Sequence, residues 1–212
     1  WGESIVSSGR NEAYIDQLIV QVADAVEEAA RSETPATLRV ARGDAGRFVA
    51  DSRRPIVIDE AITAVEVADL GGDVRAHLVV WGNHPEALAD DNTLVTSDYA
   101  HYLRERLEAA YPGSRAVFFA GSLGGLMNPL GVPGCPDAQG EPTCRNGSFE
   151  KAAYIGEGAA DVALAALRGP GAVAVEDPEL ALRRQSFLLP IGNLVFAGAF
   201  QLGILERRVF GP

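Results

Sequence analysis

The chain has 212 residues, of which 47% are hydrophobic and 22% charged, as in an ordinary globular protein that can bury a core without metals or disulfides. Its formal net charge is -11 and its sequence pI is about 4.7, and such an acidic chain repels nucleic acid at long range. The charge therefore argues against a nucleic-acid partner, and no segment is apolar for long enough to predict a transmembrane helix.

The first half of the sequence predicts one helix and three strands. Apolar residues follow helical spacing over Asn11 to Arg31, and the side chain of Asn11 can cap the start of the helix. A short strand is predicted over Ala36 to Arg42. Two further strands, over Ala61 to Leu70 and Val74 to Gly82, flank a Gly-Gly-Asp turn signal and predict a hairpin.

The second half also alternates between helices and strands. Its predicted elements are a helix from Ser97 or Asp98 to about Tyr111, a strand over Ala116 to Ala120, a Gly-rich loop over Gly121 to Gly131, a helix over Ser148 to Leu167, and a pair of strands over Leu180 to Leu189 and Asn193 to Ala199. This order predicts a mixed α/β fold, with helices flanking a mixed sheet in a single domain over residues 1–212.

The two cysteines, Cys135 and Cys144, lie in a loop rich in Pro and Gly, which predicts a surface excursion. Two cysteines nine positions apart in such a loop predict a disulfide, and the alternative is a pair of free thiols in a cytosolic protein. A disulfide would indicate an exported protein that is secreted, periplasmic or at the cell surface. The pair makes a poor zinc site, because structural zinc takes four ligands.

Two segments carry side chains suited to chemistry. A predicted strand ends at His84 and Pro85 follows, so the imidazole is well placed as a metal ligand or base, although a lone His is more often structural. Asp98 could orient His84 or cap the following helix, and the cap is the simpler interpretation. We expect His77 and His101 to be surface or edge histidines.

The Gly-rich loop after the strand Ala116 to Ala120 is the third segment of interest. Such turns let backbone N–H groups approach a ligand closely, as in an oxyanion hole, and a structural turn is the alternative. It is no phosphate-binding P-loop, because no Lys-Ser/Thr pair follows the glycines. Ser122 does not form a nucleophile elbow, because Gly-Ser-Leu-Gly has the wrong spacing.

Taken in order, these segments resemble the N-terminal catalytic domain of the neutral/alkaline, non-lysosomal ceramidase family. The resemblance covers about residues 10–170. It is carried by Asn83-His84-Pro85, by Thr96-Ser97-Asp98-Tyr99, by Phe118-Phe119-Ala120 leading to Gly125-Leu-Met-Asn128-Pro129, and by the Arg-bearing loop Asp51-Ser-Arg53-Arg54-Pro55.

The resemblance implies zinc-dependent hydrolysis of ceramide, or of a related N-acyl lipid, to a fatty acid and an amine, a reaction of sphingolipid metabolism. Zinc would lower the pKa of its bound water and polarise the amide carbonyl. The residues that the resemblance assigns are the zinc ligand His84, the catalytic residues Asn128 and Asp98, and the substrate-binding residues Arg53, Arg54, Gly124 and Gly125.

The family's other zinc ligands, an upstream His element and a downstream Glu and Tyr, have no counterparts in this chain. A catalytic zinc normally takes three protein ligands, so we expect the rest to lie outside this chain. We accordingly expect a fragment whose fold is incomplete without further N- and C-terminal segments. Other segments of the same precursor are the expected partners, and peripheral contact with a membrane is a further option.

Two departures from the family pattern keep alternatives open. Asn128 stands where characterised ceramidases carry Ser, and Glu86 stands where Ser or Thr is common. One alternative is a ceramidase-like domain that has lost catalysis and serves as a binding or structural module. Another is a metal-free fragment that binds a lipid or a glycan in an apolar groove.

Overall fold

The computed structural model describes residues 3–4, 7–8, 11–90, 92–122, 127–137, 139–176, 178–179, 181–186 and 192–204. Contacts within the chain define two compact units, Trp1–Glu33 with Glu179–Pro212, and Thr34–Pro178. The single domain over residues 1–212 stays a prediction.

The described helices and strands range from 2 to 20 residues in length. They are β1 (Glu3–Ser4), β2 (Ser7–Ser8), α1 (Glu12–Arg31), β3 (Ala36–Asp44), a 3-10 helix (Gly46–Phe48), β4 (Ala50–Asp51), β5 (Ala61–Asp69), β6 (Val74–Trp81), α2 (Tyr99–Ala110), β7 (Arg115–Ala120), β8 (Met127–Asn128), α3 (Phe149–Arg168), β9 (Val173–Val175) and α4 (Leu194–Gln201).

The smaller unit contains the antiparallel pair β1–β2 and the helices α1 and α4. The predicted first helix is confirmed, and the side chain of Asn11 caps it by accepting the N–H of Tyr14 at 3.1 Å. No residue of α1, all of which is described, is buried. Its apolar stripe, including Leu18 and Val22, is exposed.

The second strand predicted in the tail is wrong. Asn193 to Ala199 does not form a strand, because Leu194–Gln201 is the helix α4, whose start Asn193 caps by accepting N–H groups of Val195 and Phe196. A short apolar run fits either structure by periodicity alone, and the capping Asn decides for the helix. The first predicted tail strand, Leu180 to Leu189, forms no strand over the described residues 181–186, and its remainder lies outside the described residues.

The larger unit is built on a five-stranded sheet with the order β7-β6-β5-β3-β9. The predicted hairpin is confirmed, because β5 and β6 pair antiparallel with Ile62 opposite Trp81. The strands β6 and β7 are parallel, and parallel neighbours need a crossover, which here contains α2. Both β6 and β7 therefore end at the same edge of the sheet.

One face of this sheet carries the core, under α2 and α3. Alternate side chains of β5 and β6, such as Ile62, Val79 and Trp81, point into it and are completely buried. The mixed α/β prediction is confirmed, with helices packed on a mixed sheet. The expectation that His77 lies at the surface or an edge is wrong, because its ring is fully buried in this core, 5.0 Å from the ring of Tyr111.

A second, two-stranded sheet joins β4 and β8, which pair antiparallel with Ala50 opposite Asn128. The sequence of residues 43–55 is polar and irregular. Strands of two residues carry too little periodicity to be recognised in a sequence. This pairing matters for the site, because it ties the Arg-bearing loop to the segment that follows the Gly-rich turn.

The predicted disulfide is confirmed, because Cys135 and Cys144 are bonded to each other. The loop that they close lies between β8 and α3. Among the helices within the described residues, none is both long and apolar enough to cross a membrane.

Candidate functional site

The segment that follows β6 carries His84 on a firmly held backbone. Asn83, the residue before it, is completely buried, and its side-chain amide donates to the carbonyl of Phe48 at 3.1 Å. The hydroxyl of Tyr99 donates to the backbone carbonyl of Asn83. The side chain of His84 is 44% exposed, so an anchored backbone presents an accessible imidazole.

The segment that contains Asn128 lies directly beside His84. The backbone N–H of His84 donates to the carbonyl of Met127 at 2.9 Å. Because Asn128 is the next residue and pairs with Ala50, the ends of β6, β8 and β4 meet at one place. The backbone of His84 thus lies beside the segment that carries Asn128, and their shared role in a site stays a prediction.

The amide of Asn128 is buried and already engaged in hydrogen bonds. Its Nδ2 donates to Oγ of Ser52 at 3.0 Å, and its Oδ1 accepts the N–H of Leu130 at 3.0 Å. The residue is only 5% exposed. Asn128 therefore shapes the turn leaving β8, and Ser52 is a neighbour that the sequence pattern alone did not single out.

Arg53 and Arg54 lie in an exposed turn that follows β4. Asp51 organises this turn, because its carboxylate accepts the N–H groups of Arg53 and Val57, each at 2.8 Å. These bonds hold the pKa of Asp51 below its usual value, and the bond from Val57 has the largest effect. Both guanidinium groups are thus carried by a turn anchored beside Asn128.

Asp98 lies at the start of α2 and binds the chain beyond His84. Its carboxylate accepts the N–H groups of Ala87 at 3.0 Å and Leu88 at 2.8 Å, and it caps the helix through the N–H of Tyr99. It is 6% exposed, and its φ of 54° with a ψ of -144° is a backbone conformation that residues other than glycine rarely adopt. These contacts make Asp98 a support for the loop that carries His84.

The imidazole of His84 faces the carboxylate of Glu86, with 3.1 Å between Nδ1 and Oε1. A carboxylate at this distance favours a proton on Nδ1, which leaves the lone pair of Nε2 for a metal or a substrate proton. Glu86 also lines a hollow of about 420 Å³ with Ala89, Asp90 and Leu130. The carboxylate that contacts His84 thus also lines a hollow large enough for part of a small molecule.

The described residues do not by themselves form a zinc site. Within the described ranges, no group of three or more His, Cys, Asp or Glu side chains is arranged to hold a metal ion. His84 and Glu86 supply two such side chains at most, and a catalytic zinc takes three protein ligands. A zinc bound here would need ligands from elsewhere.

The substrate-binding glycines of the prediction, Gly124 and Gly125, lie outside the described residues. The start of the same loop is described. The N–H of Gly121 donates to the carbonyl of Trp81 at 2.8 Å, and a Cβ on Gly121 would lie 3.0 Å from the backbone nitrogen of Gly82. Glycine is needed here because the ends of β6 and β7 approach so closely.

The chain is similar in structure to two solved ceramidases. The neutral ceramidase from Pseudomonas aeruginosa matches with a TM-score of 0.62 and 16% sequence identity, over 78% of this chain and 28% of that chain. A ceramidase complexed with C2 matches with a TM-score of 0.52 and 17% identity, over 68% of this chain and 24% of that one. No protein-family model and no curated protein matches the sequence.

At these identities the likeness establishes the fold alone. The chain has the fold of one part of a ceramidase, and it spans only 28% and 24% of the lengths of the two ceramidase chains.

Proposed function

We propose that this chain forms part of a ceramidase-like hydrolase that cleaves the amide bond of ceramide or of a related N-acyl lipid. The observation that carries the proposal is the bond from the N–H of His84 to the carbonyl of Met127, which joins the backbone of His84 to the segment that contains Asn128. The likeness to two ceramidase folds supports the same class of enzyme.

In this reaction water adds across the amide. The water oxygen bonds to the carbonyl carbon, the C–N bond breaks, one proton goes to the departing amine, and a fatty acid remains. The exposed imidazole of His84 and the hollow lined by Glu86 support the binding of such a substrate here. Arg53 and Arg54, on the turn beside Asn128, would hold the polar head group, with Gly124 and Gly125 bordering the carbonyl.

Zinc is the cofactor that the resemblance implies. His84 is the ligand that this chain would supply, and the remaining ligands would come from other segments of the same precursor. The disulfide between Cys135 and Cys144 supports export to an oxidising compartment, where N-acyl lipids at a membrane surface would be within reach.

A second candidate is a ceramidase-like domain without catalysis, acting as a binding or structural module. The side chain of Asn128 favours it, because an amide cannot act as a nucleophile and here it is engaged with Ser52 and Leu130.

The test is fatty-acid release from ceramide, an N-acylethanolamine and an N-acyl amino acid by the full natural polypeptide. The proposal expects release from at least one substrate and a loss of about 100-fold or more in His84→Ala. His101→Ala is the matched control, since His101 is an exposed histidine paired with Glu105. No release from any substrate, or equal rates for His84→Ala and wild type, would favour the non-catalytic module.

A further inference from the structure

Tyr99 is a buried tyrosine whose hydroxyl bonds the backbone next to His84. It is the first residue of α2, it is completely buried, and its hydroxyl donates to the carbonyl of Asn83. Its ring packs edge-on against Trp81 and Phe118, with centroid distances of 5.4 and 5.7 Å. These contacts fix the ring, so the hydroxyl has little freedom to move.

The bond from Tyr99 acts on the peptide group that joins Asn83 to His84. The carbonyl of this group accepts from Tyr99, and its N–H donates to Met127 at 2.9 Å. Because a peptide group is planar, anchoring both its oxygen and its hydrogen sets the orientation of the whole plane. That plane fixes the N–Cα bond of His84, so only rotation about this bond is left to set the direction in which the side chain leaves the backbone.

Asp98 and Tyr99 hold the chain on both sides of His84. Tyr99 bonds residue 83, while the carboxylate of Asp98 bonds the N–H groups of Ala87 and Leu88. Burial has the largest effect on the pKa of Tyr99 and raises it, and the negative charge of Asp98 raises it further. The hydroxyl therefore stays protonated and remains a donor. Only residues 84–86 lie between the two attachment points.

We propose that Tyr99 is a positioning residue for His84, acting through the carbonyl of Asn83. The proposal rests on the proposed function, because it concerns how the imidazole is aimed at the substrate. A ring that only fills space in the core would need no hydroxyl at this position. A residue that orients the peptide group needs the hydroxyl, because the hydroxyl makes the bond to the carbonyl of Asn83.

The variant Tyr99→Phe keeps the ring and removes only the hydroxyl. We expect the N–H of His84 to exchange with solvent about tenfold faster or more, while the N–H of Val79 in the middle of β6 stays protected. We also expect kcat to fall by about tenfold or more with KM unchanged, since misorientation affects the reacting geometry. Tyr102→Phe, on the same helix, is the matched control and should alter neither quantity.

Unchanged exchange at His84, or equal acceleration at His84 and Val79, would overturn the positioning role. The exchange measurement needs no catalysis, so a wild type that hydrolyses no amide would refute the proposed function and leave this result to stand by itself. A measurement on the wild type covers the case in which Tyr99→Phe does not fold. The hydroxyl proton of Tyr99 should exchange slowly enough to be seen by NMR, and exchange as fast as at Tyr102 would contradict the proposal.

Discussion

Glu66 and His77 face each other across β5 and β6, with 3.8 Å between Oε2 of Glu66 and Nε2 of His77, and both side chains are buried. The other oxygen of Glu66 lies 3.4 Å from Nη1 of Arg39 on β3. Nη2 of Arg39 donates to the carbonyl of Leu167 at 2.6 Å. A row of three ionisable side chains thus crosses the sheet beneath α3, away from the end of β6 that carries His84.

We expect the protein to lose stability in mild acid, because His77 in this row is completely buried. Burial lowers the pKa of His77, outweighing the opposing effect of Glu66, and Arg168 lowers it further. An unfolded histidine titrates near pH 6.5, so below that pH the unfolded state binds a proton that the folded state resists. The free energy of unfolding should fall as pH drops from about 7.5 to 5.5, by at most about 1.4 kcal/mol per pH unit from this group.

Urea unfolding at several pH values measures this effect. His77→Gln should flatten the dependence on pH, and His101→Gln, at an exposed position, should leave it unchanged. The same slope in His77→Gln as in the wild type would show that His77 is not the responsible group.

A methyl group at position 156 should destabilise the larger unit. A Cβ on Gly156 of α3 would lie 2.3 Å from the carbonyl oxygen of Tyr99 and 2.8 Å from the backbone nitrogen of Leu103. Because backbone atoms cannot move aside cheaply, Gly156→Ala should cost about 1–3 kcal/mol, even though Ala favours a helix by about 1 kcal/mol over Gly. Denaturant unfolding tests this, with the exposed change Glu157→Ala as control, and equal stability of the two variants would be inconsistent with such close packing.

Removal of the disulfide should lower stability and loosen one wall of the candidate site. On the chain-entropy model a loop of this size contributes about 3 kcal/mol, so the double variant Cys135→Ser, Cys144→Ser should unfold more readily by about that amount. The segment that follows the loop lies near the site, because the N–H of Gly147 donates to the carbonyl of Ala87 at 3.0 Å. Unfolding curves that do not change on adding a reductant would contradict this prediction.

Much of the fold could be predicted because its larger elements carry strong local signals. The hairpin of β5 and β6 has alternating apolar residues around a Gly-Gly-Asp turn, and α1 and α3 have helical spacing with capping residues at their starts. The end of β6 at Trp81, within one residue of the predicted Gly82, could be located for the same reason. Local pattern and tertiary structure agree at these places.

The rest depended on contacts between distant parts of the chain. The pairing of β4 with β8 joins residues 50–51 to residues 127–128, and two-residue strands leave no periodic signal. The same holds for the hydroxyl of Tyr99, whose bond to Asn83 spans 16 positions. A buried polar group finds its partner through the fold, so sequence spacing alone cannot reveal it.

We expect His84 and Asn128 to serve one reaction at one place. A double-mutant cycle on kcat/KM for N-acyl amide hydrolysis, with His84→Ala, Asn128→Ala and the double variant, tests it directly. We expect each single change to cost about 100-fold, and the double change to cost much less than the product of the two, as for residues that act as a unit. Strictly multiplicative losses, or a wild-type rate in Asn128→Ala, would show that the two residues do not act in one reaction.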